Sequence, residues 1–136
     1  YFRRRIPRNV TLTYNGLAMA PISVAINAAL FEWVIENLMK NSLDALQGQG
    51  AIDVVVGEDD KHVFVEVSDT GKGIAKGNWT RIFEPGFTTK TRGWGLGLSL
   101  SRRIIEEYHR GKIAVVRSEI GRGTTIRVTL KRGEDE

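Results

Sequence analysis

His62-Val63-Phe64-Val65-Glu66-Val67-Ser68 runs straight into Asp69-Thr70-Gly71-Lys72-Gly73. The first seven residues alternate, with three valines on one side and His62, Phe64 and Glu66 on the other. That is the period of a strand buried on one face. The next five end it. Asp and Gly are what turns use, and a plain turn is one reading of them. The other is a site. A carboxylate at a strand end can accept from an exocyclic amine, while Gly71 and Gly73 leave bare backbone against which a flat ring can lie.

Upstream of this junction, Ala51–Val56 predicts another strand, joined to the first through the polar tip Gly57-Glu58-Asp59-Asp60-Lys61. From Ala28 to Leu46 apolar residues recur at helical spacing. Phe31, Val34, Ile35 and Leu38 lie on one stripe with Ser42 and Ala45, and the pattern stops at Gly48 and Gly50. Arg8–Tyr14 alternates β-branched and polar residues, a strand pattern closed by the turn pair Asn15-Gly16.

Downstream, Asp69 to Gly97 is rich in Gly, Thr and charge, with one short helical turn expected near Asn78–Phe83. So long a stretch with so little regular structure is usually functional. Leu98–His109 predicts a second amphipathic helix, with Leu98, Ile104, Ile105 and Tyr108 as its buried candidates. Lys112–Arg117 and Thr124–Lys131 predict two closing strands around Gly121-Arg122-Gly123. The expected class is α/β, a sheet with helices on one side. The expected layout is a basic leading segment at 1–8 that follows an upstream domain, one domain at 9–131 and a polar tail at 132–136.

Composition narrows the chemistry. A chain of 136 residues, 41% of them hydrophobic, is enough for one domain with its own core. There is no cysteine, which excludes disulfides, thiolate catalysis and cysteine-zinc sites. His62 and His109 are too few for a His-rich metal centre. No apolar run approaches the roughly 20 residues a membrane span needs. The net charge of +4 is modest. Part of it sits in Arg3, Arg4, Arg5 and Arg8, either a solvated leader or a contact for nucleic acid or lipid. The chain begins at Tyr1 without a signal-peptide pattern, as a piece of a longer protein would.

Two further constellations carry chemistry. Asn37 and Asn41 are four residues apart and so share one face of the long helix, at the edge of its apolar stripe. They either bond the helix to a loop or offer hard neutral oxygens suited to Mg²⁺ in the company of phosphates. Arg81-Ile-Phe83-Glu84-Pro85-Gly86-Phe87-Thr88-Thr89-Lys90-Thr91-Arg92 leads into Gly93-Trp94-Gly95-Leu96-Gly97-Leu98. Glycines just before a helix make either a hinge or a phosphate site, with unpaired N–H groups at the positive dipole end. Lys90 and Arg92 are positioned to add charge to a triphosphate. A dinucleotide-binding βαβ unit does not fit, because these glycines come late and follow a loop rather than a strand.

In order, the Asn-bearing helix, D-x-G-x-G at 69–73, F-E-P-x-F-T-T-K at 83–90, G-x-G-L-G-L at 93–98 and G-x-G-T at 121–124 resemble one family. It is the catalytic ATP-binding domain of bacterial sensor histidine kinases, and the resemblance runs over roughly residues 9–131. It implies a two-layer α/β sandwich of the Bergerat or GHKL type. A mixed sheet packs against about three helices, with a short mobile ATP lid over roughly Pro85–Trp94.

Residue by residue, the resemblance implies that Asn41 holds Mg²⁺ against the triphosphate and that Asn37 lines the same pocket. Asp69 reads the adenine amine, with Gly71, Gly73 and Ile74 at the ring. Gly93, Gly95, Leu96, Gly97 and Leu98 pass the phosphates at the helix start, and Thr124 supports Asp69 and a bridging water. Phe83 and Phe87 root the lid, from which Thr89, Lys90 and Arg92 reach the phosphates. Asn37, Asn41 and Lys90 carry the catalysis.

The implied cofactors are ATP and Mg²⁺. The implied acceptor is a histidine on a separate helical dimerisation domain, with a response-regulator receiver domain further along; no nucleic-acid partner is expected. Neither His62 nor His109 suits the acceptor role. The parent would be a homodimer and the fragment a monomer, a cytoplasmic domain compatible with a parent anchored in the bacterial inner membrane. Trp94 departs from the family, which usually has Thr or Ser there, and that bears on lid closure. Hydrolytic members carry a Glu one turn before the metal-binding Asn; here that position is Asn37, and Glu36 points about 100° away around the helix.

Overall fold

The computed structural model describes residues 10–15, 28–87 and 97–131. The predicted strand patterns become β1 (Val10–Asn15), β2 (Gly50–Glu58), β3 (His62–Asp69), β4 (Lys112–Glu119) and β5 (Gly123–Lys131). They form one sheet in the order β1-β2-β3-β5-β4. β1 is parallel to β2 and the other pairs are antiparallel, so the sheet is mixed. A parallel pair needs a long crossover. Helix α1 (Ala28–Leu46), on the boundaries its periodicity predicts, lies within the connection from β1 to β2. The β2–β3 turn is set by Asp59, whose Oδ1 accepts from the backbone N–H of Lys61 at 2.9 Å and of His62 at 2.7 Å. Those two bonds hold the Asp59 carboxyl below its ordinary value.

The core lies between one face of the sheet and the helices. α1 contributes Val34, Leu38, Met39 and Leu46, and the sheet contributes Ile52, Val54, Val65, Val67, Ile113, Val115, Ile126, Val128 and Leu130. The alternation in β3 is as expected: Val63, Val65 and Val67 are buried, and the residues between them are not. Phe31 and Ile35 complete the α1 stripe as partly buried neighbours. The two-layer sandwich inferred from the sequence is the architecture that forms.

Two expectations need correction. The second helix, α2 (Gly97–Arg103), continues not as α-helix but as a π-helical turn over Ile104–Tyr108. The wider turn changes the angular phase. Ile105 is fully buried, but Tyr108, expected in the core, is 65% exposed. β4, expected to end at Arg117, runs on to Glu119 because a bulge between Val115 and Arg117 lets the ladder resume beyond it.

Candidate active site

Asp69 ends β3 directly opposite Thr124 on β5, which puts both side chains on the face beneath α1. Its Oδ1 accepts from the Gly71 N–H at 2.9 Å. The Ser42 hydroxyl and the Thr124 N–H also donate to the carboxyl. Burial pushes the Asp69 carboxyl above its ordinary value, and these three donors oppose that shift without cancelling it. Ser42 is 3% exposed, and among the described residues no buried side-chain nitrogen or oxygen lacks a partner.

The loop after Asp69 is held from both sides. The Lys72 N–H donates to the Ala45 carbonyl of α1 at 3.1 Å, and the Gly121 N–H of the β4–β5 turn donates to the Lys72 carbonyl at 2.9 Å. Farther on, the Trp79 indole N–H donates to the Ile74 carbonyl at 3.0 Å. Contacts this close explain the glycines. A Cβ on Gly71 would stand 2.6 Å from the Ala45 oxygen. At Gly73 the backbone has φ 78°, and a Cβ would meet the Glu119 oxygen at 2.2 Å. At Gly123 φ is 127°, and a Cβ would lie 1.9 Å from the Asp69 oxygen. Only glycine satisfies both conditions at these last two positions.

α1 brings its amides to the same end of the molecule. The Asn37 Nδ2 donates to the Trp33 carbonyl at 3.1 Å. A Cβ on Gly97, the first residue of α2, would lie 2.6 Å from Asn37 Oδ1. Asn41, one turn along, is half-buried, as are Ile74 and Leu98. Phe83 is 5% exposed and Phe87 packs against the core, with the Arg81 guanidinium 5.3 Å from its ring centroid. The structure places Asp69, Gly71, Gly73, Ile74 and Thr124 together at the end of β3 and sets Asn37 against Gly97, while Asn41 and Leu98 are half-buried on the two helices and Phe83 and Phe87 lie in and against the core. Thr89, Lys90, Arg92, Gly93, Trp94, Gly95 and Leu96 lie outside the described residues, as do segments 1–8 and 132–136.

Two contributors escaped the reading of the sequence. Ser42 looked like one more member of the α1 stripe; its only signal was a hydroxyl placed among apolar residues. Ser118 gave no signal, yet its Oγ accepts from the Ile74 N–H at 2.7 Å and lies 2.8 Å from Thr124 Oγ1.

Sandwich, cradle and amide-bearing helix are the parts of an ATP-binding domain. The chain belongs to the histidine kinase-, DNA gyrase B- and HSP90-like ATPase family, whose model matches residues 27–134. Sporulation kinase E of Bacillus subtilis (strain 168) is 42% identical over 98 residues, covering 71% of this chain and 13% of that protein. Sensor histidine kinase ZraS of Escherichia coli (strain K12) is 41% identical over 97 residues, again 71% of this chain and 20% of that protein. The chain thus spans a small part of the curated relatives it matches. Among solved structures, the catalytic domain of histidine kinase ThkA, nucleotide-free, superposes with TM-score 0.81 at 31% identity. That match covers 91% of this chain and 80% of the other. ThkA in complex with the response regulator protein TrrA gives 0.78 at 27% identity, covering 92% of this chain and 35% of that one. The fold is that of a histidine kinase catalytic domain. No helix among the described residues is long and apolar enough to cross a membrane.

Proposed function

We propose that this domain binds ATP with Mg²⁺ and transfers the γ-phosphate to a histidine on a separate helical dimerisation domain, as the kinase core of a two-component system. The observation that carries the reading is the Asp69 cradle: a carboxylate with three donors behind it, beside a loop that only glycines can form, at the foot of an amide-bearing helix. Asp69 accepts from the adenine amine, Gly71 and Gly73 underlie the ring with Ile74 at its edge, and Thr124 supports the carboxylate and a bridging water. Gly93, Gly95, Leu96, Gly97 and Leu98 pass the phosphates, and Thr89, Lys90 and Arg92 reach them from the lid.

The donor set fits magnesium held jointly with phosphates. Among the described residues no group of three or more His, Asp or Glu could hold a metal alone, whereas Asn41, with Asn37 beside it, offers hard neutral oxygens. When bound, the ion supplies neutralisation of charge on the transferred phosphoryl group. The domain's own residues position the nucleotide and keep it oriented; they do little covalent chemistry. Asn37 supports transfer over hydrolysis, because an amide cannot take a proton from an attacking water and its Nδ2 is engaged on Trp33. Glu32, one turn farther back, is exposed. In this reading the parent is a homodimer joined through the dimerisation domain. The domain itself is a cytoplasmic monomer, with the response regulator downstream.

The test is a calorimetric titration with ADP and a non-hydrolysable ATP analogue, with and without Mg²⁺. Wild type should bind both and gain affinity for the ATP analogue with Mg²⁺. Asn41→Ala should lose that gain while keeping its circular dichroism. An equal loss with and without the ion would make Asn41 merely structural.

A further inference from the structure

Between Thr70 and Ala75 the chain lends little to the core. Gly71 and Gly73 have no side chain to bury, Thr70, Lys72 and Ala75 are exposed, and Ile74 is half-buried. The shape of this loop therefore depends on hydrogen bonds to its backbone. Lys72 is held from both sides, by the Ala45 carbonyl and the Gly121 N–H. Ile74 is held the same way. Its N–H donates to Ser118 Oγ at 2.7 Å, and its carbonyl accepts from the Trp79 indole N–H at 3.0 Å. Ala45, Gly121 and Ser118 belong to the helix and to the β4–β5 hairpin, whereas Trp79 acts from the segment that follows the loop.

Two tight turns bring Trp79 back to Ile74. The Asn78 N–H donates to the Ala75 carbonyl at 2.8 Å, and the Trp79 N–H donates to the Lys76 carbonyl at 3.2 Å. The next turn, Arg81–Phe83, buries Ile82 and Phe83 in the core. Trp79 is half-buried and packs against that core, so it joins an anchored turn to a loop with few anchors of its own. Packing does not enclose its ring. Together with Phe83, Ile113 and Val115 it lines a groove of about 290 Å³. The hydrogen bond to Ile74 is what sets the direction of the indole.

We propose that Trp79 is a positioning residue for the base-binding loop, its indole N–H fixing the Ile74 carbonyl so that the Gly71–Ile74 backbone is in place before a nucleotide arrives. The proposal rests on the nucleotide reading above and deepens it. Trp79 acts through Ile74 and touches no nucleotide atom. Its contribution is order: without the donor, each binding event must fix the downstream end of the loop again. A side chain supplies this bond, so it can be deleted while the bonds from Ala45, Gly121 and Ser118 stay.

The experiment titrates ADP against wild type, Trp79→Phe and Trp79→Leu by calorimetry and reads each thermal midpoint by circular dichroism. Neither variant has the donor, and the two differ in the cavity they leave. Both should bind ADP about fivefold more weakly, the equivalent of one net hydrogen bond, and to the same extent. The midpoint should fall further for Trp79→Leu. A merely structural Trp79 would lower the midpoints and leave the affinity of the folded chain unchanged, which overturns the proposal. An affinity loss that grows from Phe to Leu also overturns it, because packing rather than the donor would then carry the effect. If neither variant folds, the wild-type indole N–H decides, identified in nuclear magnetic resonance by its Overhauser contacts with Ile74. It should be protected from exchange with heavy water before ADP is added, and protection that appears only with ADP overturns the proposal. Wild type that binds no ADP would overturn the nucleotide reading and this inference together. ADP binding with unmoved affinity in the variants overturns this inference alone.

Discussion

Asp69, Thr124 and Ser118 face α1, while Ser68, Thr125 and Arg117, their immediate neighbours on the same three strands, face the other way. The two rows share one register and differ in what covers them. The inner row lies beneath a helix and against a loop whose glycines allow backbone contact, and burial raises the Asp69 carboxyl above its ordinary value. The outer row is a chain of hydroxyls, Ser68 to the buried Thr125 at 2.8 Å, ending in the exposed Arg117. Beside it the Arg127 guanidinium pairs with Glu66 and lies over the Phe64 ring. Ion pairs in that setting contribute little to stability. The lesson is that one sheet register can set a carboxylate with hydroxyls under a helix on one face and a hydroxyl–arginine network on the other.

The largest expected effect disturbs both rows at once. Gly123→Ala puts a Cβ against the Asp69 carbonyl at a φ that side chains avoid. It should cost about 3 kcal/mol or more, read as a lower urea midpoint. A loss within the range of an ordinary surface substitution would mean that β5 yields easily there.

Next comes the inner row by itself. Asp69→Asn should weaken ADP at least tenfold with the fold intact. The pH dependence follows from burial. The folded protein holds the Asp69 proton more tightly than the unfolded chain does, its carboxyl lying above the ordinary 3.8. The stability this contributes is complete below that ordinary value and is lost as pH rises through the raised one. ADP affinity runs the opposite way, because only the ionised carboxylate accepts fully, so binding should strengthen over the same interval. Asp69→Asn should flatten both trends, and wild-type affinity that does not change with acidification would refute the assignment. Ser42→Ala should weaken ADP several-fold and move the affinity transition to higher pH, since the carboxylate loses a donor.

The smallest effect belongs to the outer row. Thr125→Val removes the partner of both Ser68 and Arg117. It should cost about 1 kcal/mol of stability and change ADP affinity less than twofold. A large affinity loss would show that the two faces are coupled through β5.

Most of the scaffold is readable locally. The α1 stripe, the β3 alternation and the glycines around Asp69 are statements about period and turn chemistry, and each is complete within a few residues of chain. The Asn37–Asn41 spacing needs only the pitch of a helix. Tyr108 could not be read this way, because it closes a π-helical turn whose wider pitch shifts its phase from that of an α-helix. Ser42 and Ser118 were opaque for a different reason. A serine's role depends on what stands opposite its hydroxyl: Asp69 is distant in the chain from Ser42, and Thr124, six residues from Ser118, is set opposite it only by the β4 bulge.

Local pattern therefore accounts for which segments are strand or helix and for the acid-and-glycine cradle at the end of β3. Packing between distant segments settled the rest: the parallel pairing of β1 with β2, the β4 bulge that exchanges Arg117 for Ser118, and the donors that surround Asp69. Periodicity is a property of consecutive residues, whereas register and hydrogen-bond partnership belong to pairs that meet only when the chain has folded.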